Sequence, residues 1–485
     1  MEGHCQMKIS EDSNFTDVLL SFLTLPLGTI VRVLNKHYGY EAPVLGSLTT
    51  LYNGIRDLDN GLFLSEDCKN LLLNPIRSSE DEFRRLKINV DDTPPTRYFR
   101  CGGGGTMCFS IFPNVSMYFS GLKCNCGRPL DKKIYVRGVD DSSGGVFIAS
   151  KASLIITDDL QILPSATNTV VQILRNSGIT DATGIKERSV TLGFNEIMNL
   201  LKGSLVSRAP FTELILKKNS MKHVATNYRI GVPPVDLNKK LMEPFSDKKM
   251  TMKAIVLANK LLFAEVDGDF VDFLFSLLAL PLGRVEWLLG CDTRLSNADK
   301  LYRSVANGRN DKYLKNKYVT KAQLLKPKVP LCYYSRTHSL SPTEVYFPDL
   351  YYFYDNGGCL SPLPSLHLFS GRYVSSYKFP EGQVTKRNGQ WVSNSTFAEG
   401  KAKYVNGTTM YMVTDDLTVT PLSSTSGLSV LNSLKIPLSE VKELELVVGL
   451  KEALSILKAS LTSSRALTDG LITPFLMMKK PKQEG

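Results

Sequence analysis

Apolar residues recur at helical spacing in FTDVLLSFLTL, which starts at Phe15, and Pro26 stands where that run ends. A proline closes the helix before it and fits the first turn of the one after, so two short helices meeting at a Pro-Leu-Gly corner are predicted, with Pro26 as the first residue of the second. The same pattern returns from Phe270, with Pro281 at the corner. Farther along, SLIITDDLQIL and MYMVTDDLTVT are β-rich runs interrupted by Asp-Asp, which reads as a hairpin whose turn the two aspartates form, tolerating its unusual backbone angles. Ser165 or Thr167 is placed to cap a helix through Thr169 to Arg175, and Gly178 to stop it; a second helix is predicted from about Phe194 to Leu205. Helices and antiparallel strands within one unit give an α+β fold class.

These patterns belong to a repeat. FTDVLLSFLTLPLGTIVRVL from Phe15 matches FVDFLFSLLALPLGRVEWLL from Phe270 at ten of twenty positions, an offset of 255. LIITDDLQILPSAT from Leu154 matches YMVTDDLTVTPLSST from Tyr411 at an offset of 257. GFNEIMNLLKGSLVSRAPFT from Gly193 matches GLKEALSILKASLTSSRALT from Gly449 at eight of twenty, an offset of 256. Three collinear matches at a nearly constant offset indicate a tandem duplication of a unit of roughly 230 residues, far longer than a solenoid repeat of about 20 to 50. The expected organisation is a first repeat domain over 1–229, a basic linker over 230–250, a second repeat domain over 251–478 and a basic tail over 479–485. Length agrees, since a single core stops growing near roughly 250 to 300 residues and the chain has 485. The copies differ at their start. The second opens with MKAIVLANKLLFAEVDGDF, a predicted strand hairpin, where the first has only MKISEDSNF. The first copy is therefore expected to lack its opening hairpin, which puts in question whether its sheet is complete without help from the second.

Hydrophobic residues make up 43% of the chain and charged residues 22%, the balance of a soluble globular protein rather than a disordered or multi-span membrane chain. The apolar stretches Phe15 to Leu34 and Phe270 to Leu289 carry Asp17 and Arg32, and Asp272, Arg284 and Glu286, so they read as buried core helices and not as membrane spans. The net charge of +11 is concentrated. Nine Lys/Arg against three acids between Lys217 and Lys253, and three lysines against one acid in MKKPKQEG, place most of it in the linker and tail. Nine cysteines are too sparse for a disulfide-stapled secreted scaffold, and MEGHCQMKISEDSN has neither a basic n-region nor an apolar stretch. A cytoplasmic protein is expected, with KKPK a weak nuclear signal and the N-x-S/T matches at Asn14, Asn114, Asn394 and Asn406 unglycosylated.

Four cysteines cluster: Cys101, Cys108, Cys124 and Cys126, in RCGGGGTMC and KCNCGRPL, with apolar and aromatic residues between the pairs. Structural zinc takes four thiolate or imidazole ligands in a tetrahedron, usually delivered as two close pairs on two turns, and this arrangement satisfies that in outline. The spacings, six residues within the first pair and one within the second, differ from the usual two to four or so, so unbound thiols and a redox or disulfide role stay open beside zinc. Four ligands would close the site and leave no position for a catalytic water. In the corresponding stretch of the second copy only Cys332 and Cys359 remain, with His338 and His367 nearby at spacings that match no common metal pattern. Tyrosines and phenylalanines are expected to hold that region together.

At FVDFLFSLLALPLG and MVTDDLTVTP, followed by the helix EALSILKASL, the chain closely resembles the plant family catalogued as domain of unknown function 674. The resemblance covers nearly the whole chain, and members of that family are commonly built from such tandem copies. It implies a plant, intracellular protein and supplies no reaction, substrate or catalytic residue. Members often carry cysteine pairs that look like a zinc ribbon, and CNCG is similar to their second knuckle.

Other motifs are weaker. The run Gly102 to Gly105 is followed by no Lys-Ser/Thr, so a loop spanning the knuckle is the expectation over a phosphate cradle. Asp158-Asp159 and Asp415-Asp416 read as turn residues before metal or general-base carboxylates. Glu196 and Lys202, and Glu452 and Lys458, read as solvated charge on amphipathic helices. The histidines, His4, His37, His223, His338 and His367, show no H-E-x-x-H and no repeat relationship, and there is no G-x-S-x-G elbow. The reading that follows is a non-enzymatic binding or scaffolding module, its partner a protein, with one structural zinc in a zinc-ribbon-like insertion at about 97–136. The alternatives are a nucleic-acid-associated protein using that insertion and the basic linker, and an enzyme of unknown class, for which Asp158 and His223 meeting in one cleft would be the sign.

Overall fold

The structure is a computed structural model of the chain. It describes residues 7–9, 13–78, 80–83, 85–102, 115–120, 122–124, 126–136, 145–149, 152–176, 178, 189–216, 248–333, 335, 340, 345–346, 351–353, 359–361, 376–378, 403–423, 425–433, 435 and 437–479. These residues form helices and mainly antiparallel sheets, an α+β architecture. Among them, no helix is long and apolar enough to cross a membrane.

The corners form as their sequences dictate. Helix Ser13–Ser21 passes through a short tighter turn, Phe22–Thr24, before Leu27–Tyr38 begins, and Pro26 caps that second helix from just outside it. Gly268–Ser276, Leu277–Ala279 and Leu282–Leu288 repeat the arrangement around Pro281. The first backbone N–H groups of any helix have no partner inside it. Here each corner supplies the other: Leu27 N–H donates to the Leu280 carbonyl at 2.9 Å, Leu282 N–H to the Leu25 carbonyl at 2.9 Å, and the two prolines face each other as an antiparallel bridge. The leucines and phenylalanines on both sides are buried in one core cluster that runs from Val18 to Ile472.

The sheets differ between the halves. In the C-terminal half, Met250–Leu257 and Lys260–Val266 form the hairpin expected from the sequence. They sit inside a five-stranded sheet with Tyr411–Thr414, Val419–Pro421 and Val441–Val448. In the N-terminal half the strand Met7–Ile9 pairs with Leu154–Ile156, which pairs with Ile162–Pro164, to give three strands. Ile9 opposite Leu154 occupies the position that Val266 opposite Tyr411 holds in the larger sheet. The short segment MKI therefore stands where the second strand of a hairpin would.

A further sheet joins both halves. Tyr98–Cys101 lies between Val115–Met117 and Pro129–Val136, and Leu122–Lys123 also pairs with Pro129–Val136. On its other side Pro129–Val136 runs parallel to Cys359–Ser361, which is followed by Tyr351–Phe353 and Ser376–Lys378. The cysteine-rich and tyrosine-rich stretches thus share one set of backbone hydrogen bonds. Tyr333, fully buried, adds a side-chain link: its hydroxyl donates to the Leu71 carbonyl at 3.0 Å and accepts from Ile76 N–H at 2.9 Å.

Candidate functional site

The cysteine knuckle is assembled by strand pairing. Cys101 ends the strand Tyr98–Cys101, and a register irregularity between Arg100 and Cys101 places it opposite Leu130. Cys124 follows Leu122–Lys123, and the chain turns back at once: Gly127 N–H donates to the Cys124 carbonyl at 2.8 Å, and Cys124 N–H to the Arg128 carbonyl at 2.8 Å. Gly127 takes φ of 80°, a conformation side chains resist, so the glycine of CNCG is a requirement of this turn. The result brings the Sγ atoms of Cys101, Cys124 and Cys126 within 4.8 Å of one another, with Cys101 and Cys126 at 3.5 Å. That separation is far beyond a disulfide bond of about 2.05 Å. It is near the roughly 3.8 Å that separates two ligands in a tetrahedral site with zinc–sulfur bonds of about 2.3 Å. Cys101 and Cys124 are buried and Cys126 is exposed. Cys108, the fourth cysteine of the motif, lies outside the described residues, as do Gly103 to Gly105. Lys123, Arg128, Lys132 and Lys133 are exposed around the knuckle.

The second cysteine–histidine set does not assemble among the described residues. Cys332 is fully buried, and that burial raises its thiol pKa. Only the backbone of Cys359 is described, in its strand, while His338 and His367 fall outside, together with His4, His223, residues 230–247 of the basic linker and residues 480–485 of the tail. Two other buried thiols are pushed up, Cys68 to about 11 and Cys291 to about 12, chiefly by desolvation. Thiols held protonated in this way are poor nucleophiles.

The paired aspartates make turns, and they also do something the sequence reading left out. The first of each pair reaches across to a helix: Asp158 accepts from Thr212 N–H at 2.9 Å and from its hydroxyl at 2.5 Å, and Asp415 accepts from Thr468 N–H and hydroxyl, both at 2.7 Å. The second braces the turn itself, Asp159 accepting from the Thr157 hydroxyl and Asp416 from the Thr414 hydroxyl, each at 2.5 Å. Desolvation raises the pKa of both Asp158 and Asp415. The strained backbone was expected at the aspartates, but it falls on the buried leucines after them, Leu160 at φ 62° and Leu417 at φ 67°. The leucine is held there because its side chain must enter the core.

The remaining pairs are also structural. Glu196 and Glu452 cap their own helices, accepting from Gly193 N–H at 2.9 Å and Gly449 N–H at 3.1 Å. Lys202 sits over the Tyr38 ring at 4.7 Å, and Lys458 pairs with Asp292.

Two buried aspartates went unnoticed as functional parts of the frame. Asp17 accepts from Val146, Phe147 and Ile148 N–H at 2.6, 3.0 and 2.8 Å, using both oxygens. Asp272 accepts from Tyr404 and Val405 N–H at 2.8 and 3.2 Å, both on Oδ1. Desolvation pushes Asp17 up to about 6 and Asp272 to about 8. Their signal was present, since both occupy the same place in the matched blocks FTDVLL and FVDFLF. Glu286 had no such signal, because Val31 stands at the matching position. It is fully buried, with the Thr293 hydroxyl 3.0 Å from its Oε1, and that hydroxyl is 2.7 Å from Asp299. Burial first, and then the Asp299 charge, raise its pKa well above the usual range.

A cavity of about 100 Å³ is lined by Arg77, Glu80, Asn89, Asp91 and Thr93. There Arg77 is paired with Asp91 at 3.2 Å, donates to Asn89 at 3.0 Å and stacks 3.8 Å from the Phe83 ring. Another of about 300 Å³ lies among Leu163, Thr169, Gln172, Arg309 and Lys312. Searches of curated proteins and of solved structures give no match. A family model described as protein of unknown function (DUF674) matches residues 7–449, and the chain belongs to that family.

Proposed function

We propose that the protein is a tandem duplication working as a non-enzymatic binding or scaffolding module, stabilised by one structural zinc in the knuckle of its first copy. Cys101, Cys124 and Cys126 would be three ligands and Cys108 the fourth. The observation that carries the reading is the convergence of three sulfurs at ligand-like separation on a paired-strand turn. The buried carboxylates support the scaffold part of it: Asp17, Asp158, Asp272 and Asp415 are spent on backbone N–H groups and threonine hydroxyls of the fold itself. A general base needs its carboxylate aimed at a substrate. The test is elemental analysis of the purified full chain beside a Cys124→Ser, Cys126→Ser variant. About one zinc per chain, lost in the variant together with thermal stability, is the expected result, because binding free energy at such a site is folding free energy. Metal-free protein with unaltered melting in the variant would remove the zinc.

A second reading rests on the exposed Lys123, Arg128, Lys132 and Lys133 beside the knuckle. With Asp131 exposed among them, they still leave this stretch net positive, which suits phosphates, so the partner in this reading is a nucleic acid. Binding of a labelled oligonucleotide should then fall about tenfold or more between 50 and 200 mM salt. Absence of binding at low salt would dismiss it.

A further inference from the structure

Three sets of contacts between the halves are reciprocal and come in matched pairs. At the corners, Leu27 donates to Leu280 and Leu282 to Leu25, both at 2.9 Å. At the loops, Ile148 bridges Leu314, with Ala149 N–H on the Tyr313 carbonyl and Lys315 N–H on the Phe147 carbonyl, both at 2.8 Å. Phe63 likewise bridges Val405, with Leu64 N–H on the Tyr404 carbonyl at 2.9 Å and Asn406 N–H on the Leu62 carbonyl at 3.0 Å. At the helices, Gly46–Asp57 lies against Leu450–Thr462, where the Ser47 hydroxyl donates to the Ser463 carbonyl at 2.6 Å. Ser296–Ala306 lies against Phe194–Val206, where Asn297 donates to the Ser207 carbonyl at 2.7 Å.

Each half therefore completes the other with the same three parts. An arrangement in which residue i meets j while the counterpart of j meets the counterpart of i is the signature of a twofold, self-complementary interface. These contacts cannot be separated from folding. The loops that bridge across are the ones Asp17 and Asp272 hold from within, through Val146 to Ile148 and through Tyr404 and Val405. Parting the halves would strip backbone groups of their partners at the corners, the loops and the helices, at a cost of about 1–3 kcal/mol for each buried group left unsatisfied. It would also expose the leucines and phenylalanines of the corners.

We propose that the face each half turns to the other is an obligate pairing surface, made for a second copy of the same unit and occupied here by the covalently attached neighbour. The chain is in this sense a fused dimer, and its halves fold as one unit although its sequence divides in two. The inference goes beyond the scaffold reading and is independent of the zinc.

The test uses the full-length protein with a specific protease site placed between residues 230 and 247 and cut after folding. The two pieces should co-elute at the size of the intact chain and melt in one transition. The midpoint should rise with protein concentration after the cut and not before it, because cutting makes the pairing bimolecular. Pieces that separate at micromolar concentration as folded monomers, or that melt in two concentration-independent transitions, would overturn the proposal. A glycine pair sharpens the result. Gly46 (φ 45°) would place a Cβ 2.4 Å from the Ser460 carbonyl of the other half, whereas Gly39 (φ 57°) has nothing within 4 Å. Both have positive φ, and Gly39, at φ 57° and ψ −121°, lies where only glycine is comfortable, so Gly39→Ala tests local backbone strain without any contact across the halves. Only Gly46→Ala should make the cut pieces dissociate, by tenfold or more; equal effects of the two substitutions count against the pairing surface.

Discussion

Among the described residues, three strands make the sheet beside the Asp-Asp turn in the N-terminal half, and five make it in the C-terminal half. The hydrogen bonds that hold these turns to their helices are nonetheless the same, Asp158 to Thr212 and Asp415 to Thr468, with both oxygens engaged each time. In both halves buried carboxylates and crossing corners fix where these turns sit. Where the halves do diverge, the change is in chemistry. Three sulfurs, of Cys101, Cys124 and Cys126, gather in one half, and an apolar Val31 is matched by the buried acid Glu286.

The sharpest contrast lies between Asp17 and Asp272. Asp17 takes N–H groups on both oxygens, so an amide there must turn its NH₂ towards Val146 N–H. Asp272 takes both of its N–H groups on Oδ1, which leaves Oδ2 as the oxygen able to carry a proton, and an amide fits that pattern. Asp17→Asn should therefore cost about 3 kcal/mol in urea unfolding at pH 7, and Asp272→Asn under about 1 kcal/mol. The pH dependence separates them further. Both carboxyls have raised folded-state values, so the stability each contributes is complete below the ordinary value of 3.8 and is lost as pH rises, through about 6 for Asp17 and about 8 for Asp272. Between pH 6 and 8 the parent should lose stability more steeply than Asp272→Asn. Parallel curves for the two proteins would show that Asp272 does not carry its proton in the folded state.

Much of this frame can be read from the chain, and what cannot has identifiable causes. The corners were legible because proline has only one role between two apolar helical runs, and the hairpin over 250–266 was legible because two apolar runs flank the polar Asn259-Lys260. The exchange between halves was not, since periodicity marks the face of Gly46–Asp57 that is buried without naming the helix that covers it. The knuckle was half legible. Strand pairing with a register shift at Arg100 and Cys101 carries Cys101 to Cys126, and pairing between distant strands leaves no mark in local spacing. Asp-Asp promised a turn and delivered one, yet the positive φ went to Leu160 and Leu417, where core burial outweighs backbone preference.

The corners offer the next comparison. A Cβ on Gly283 would stand 2.1 Å from the Leu324 carbonyl and 3.0 Å from that of Leu23, both backbone atoms that cannot swing away. On Gly28 it would meet the Pro75 ring at 2.9 Å and Leu278 at 3.1 Å, of which the ring can pucker aside. Overpacking of this kind costs about 1–3 kcal/mol. Gly283→Ala should fall at about 2–3 kcal/mol, and Gly28→Ala near about 1 kcal/mol, because alanine gains the same helix propensity at both and only the Pro75 ring can move away. Thermal melts of the two variants would rank them, and equal shifts would mean that the corners yield alike.

The smallest effect separates two lysines that join the same kinds of partner in different surroundings. Lys300 pairs with Asp159 at 2.5 Å, and Asp159 is only 8% exposed, at the base of the turn that the Thr157 hydroxyl also braces. Lys458 pairs with Asp292, which is 68% exposed. Water and salt screen the second pair and only partly reach the first, and exposed ion pairs are worth about 0–1 kcal/mol. Lys300→Met should destabilise by about 1 kcal/mol, and Lys458→Met by under about 0.3 kcal/mol. Raising the salt from 0.05 to 0.5 M should shrink the Lys458 effect to nothing while most of the Lys300 effect survives. If the Lys300 effect vanished with it, Asp159 would be held by Thr157 alone, and the lysine crossing between the halves would be a surface ornament of an interface already fixed by its backbone.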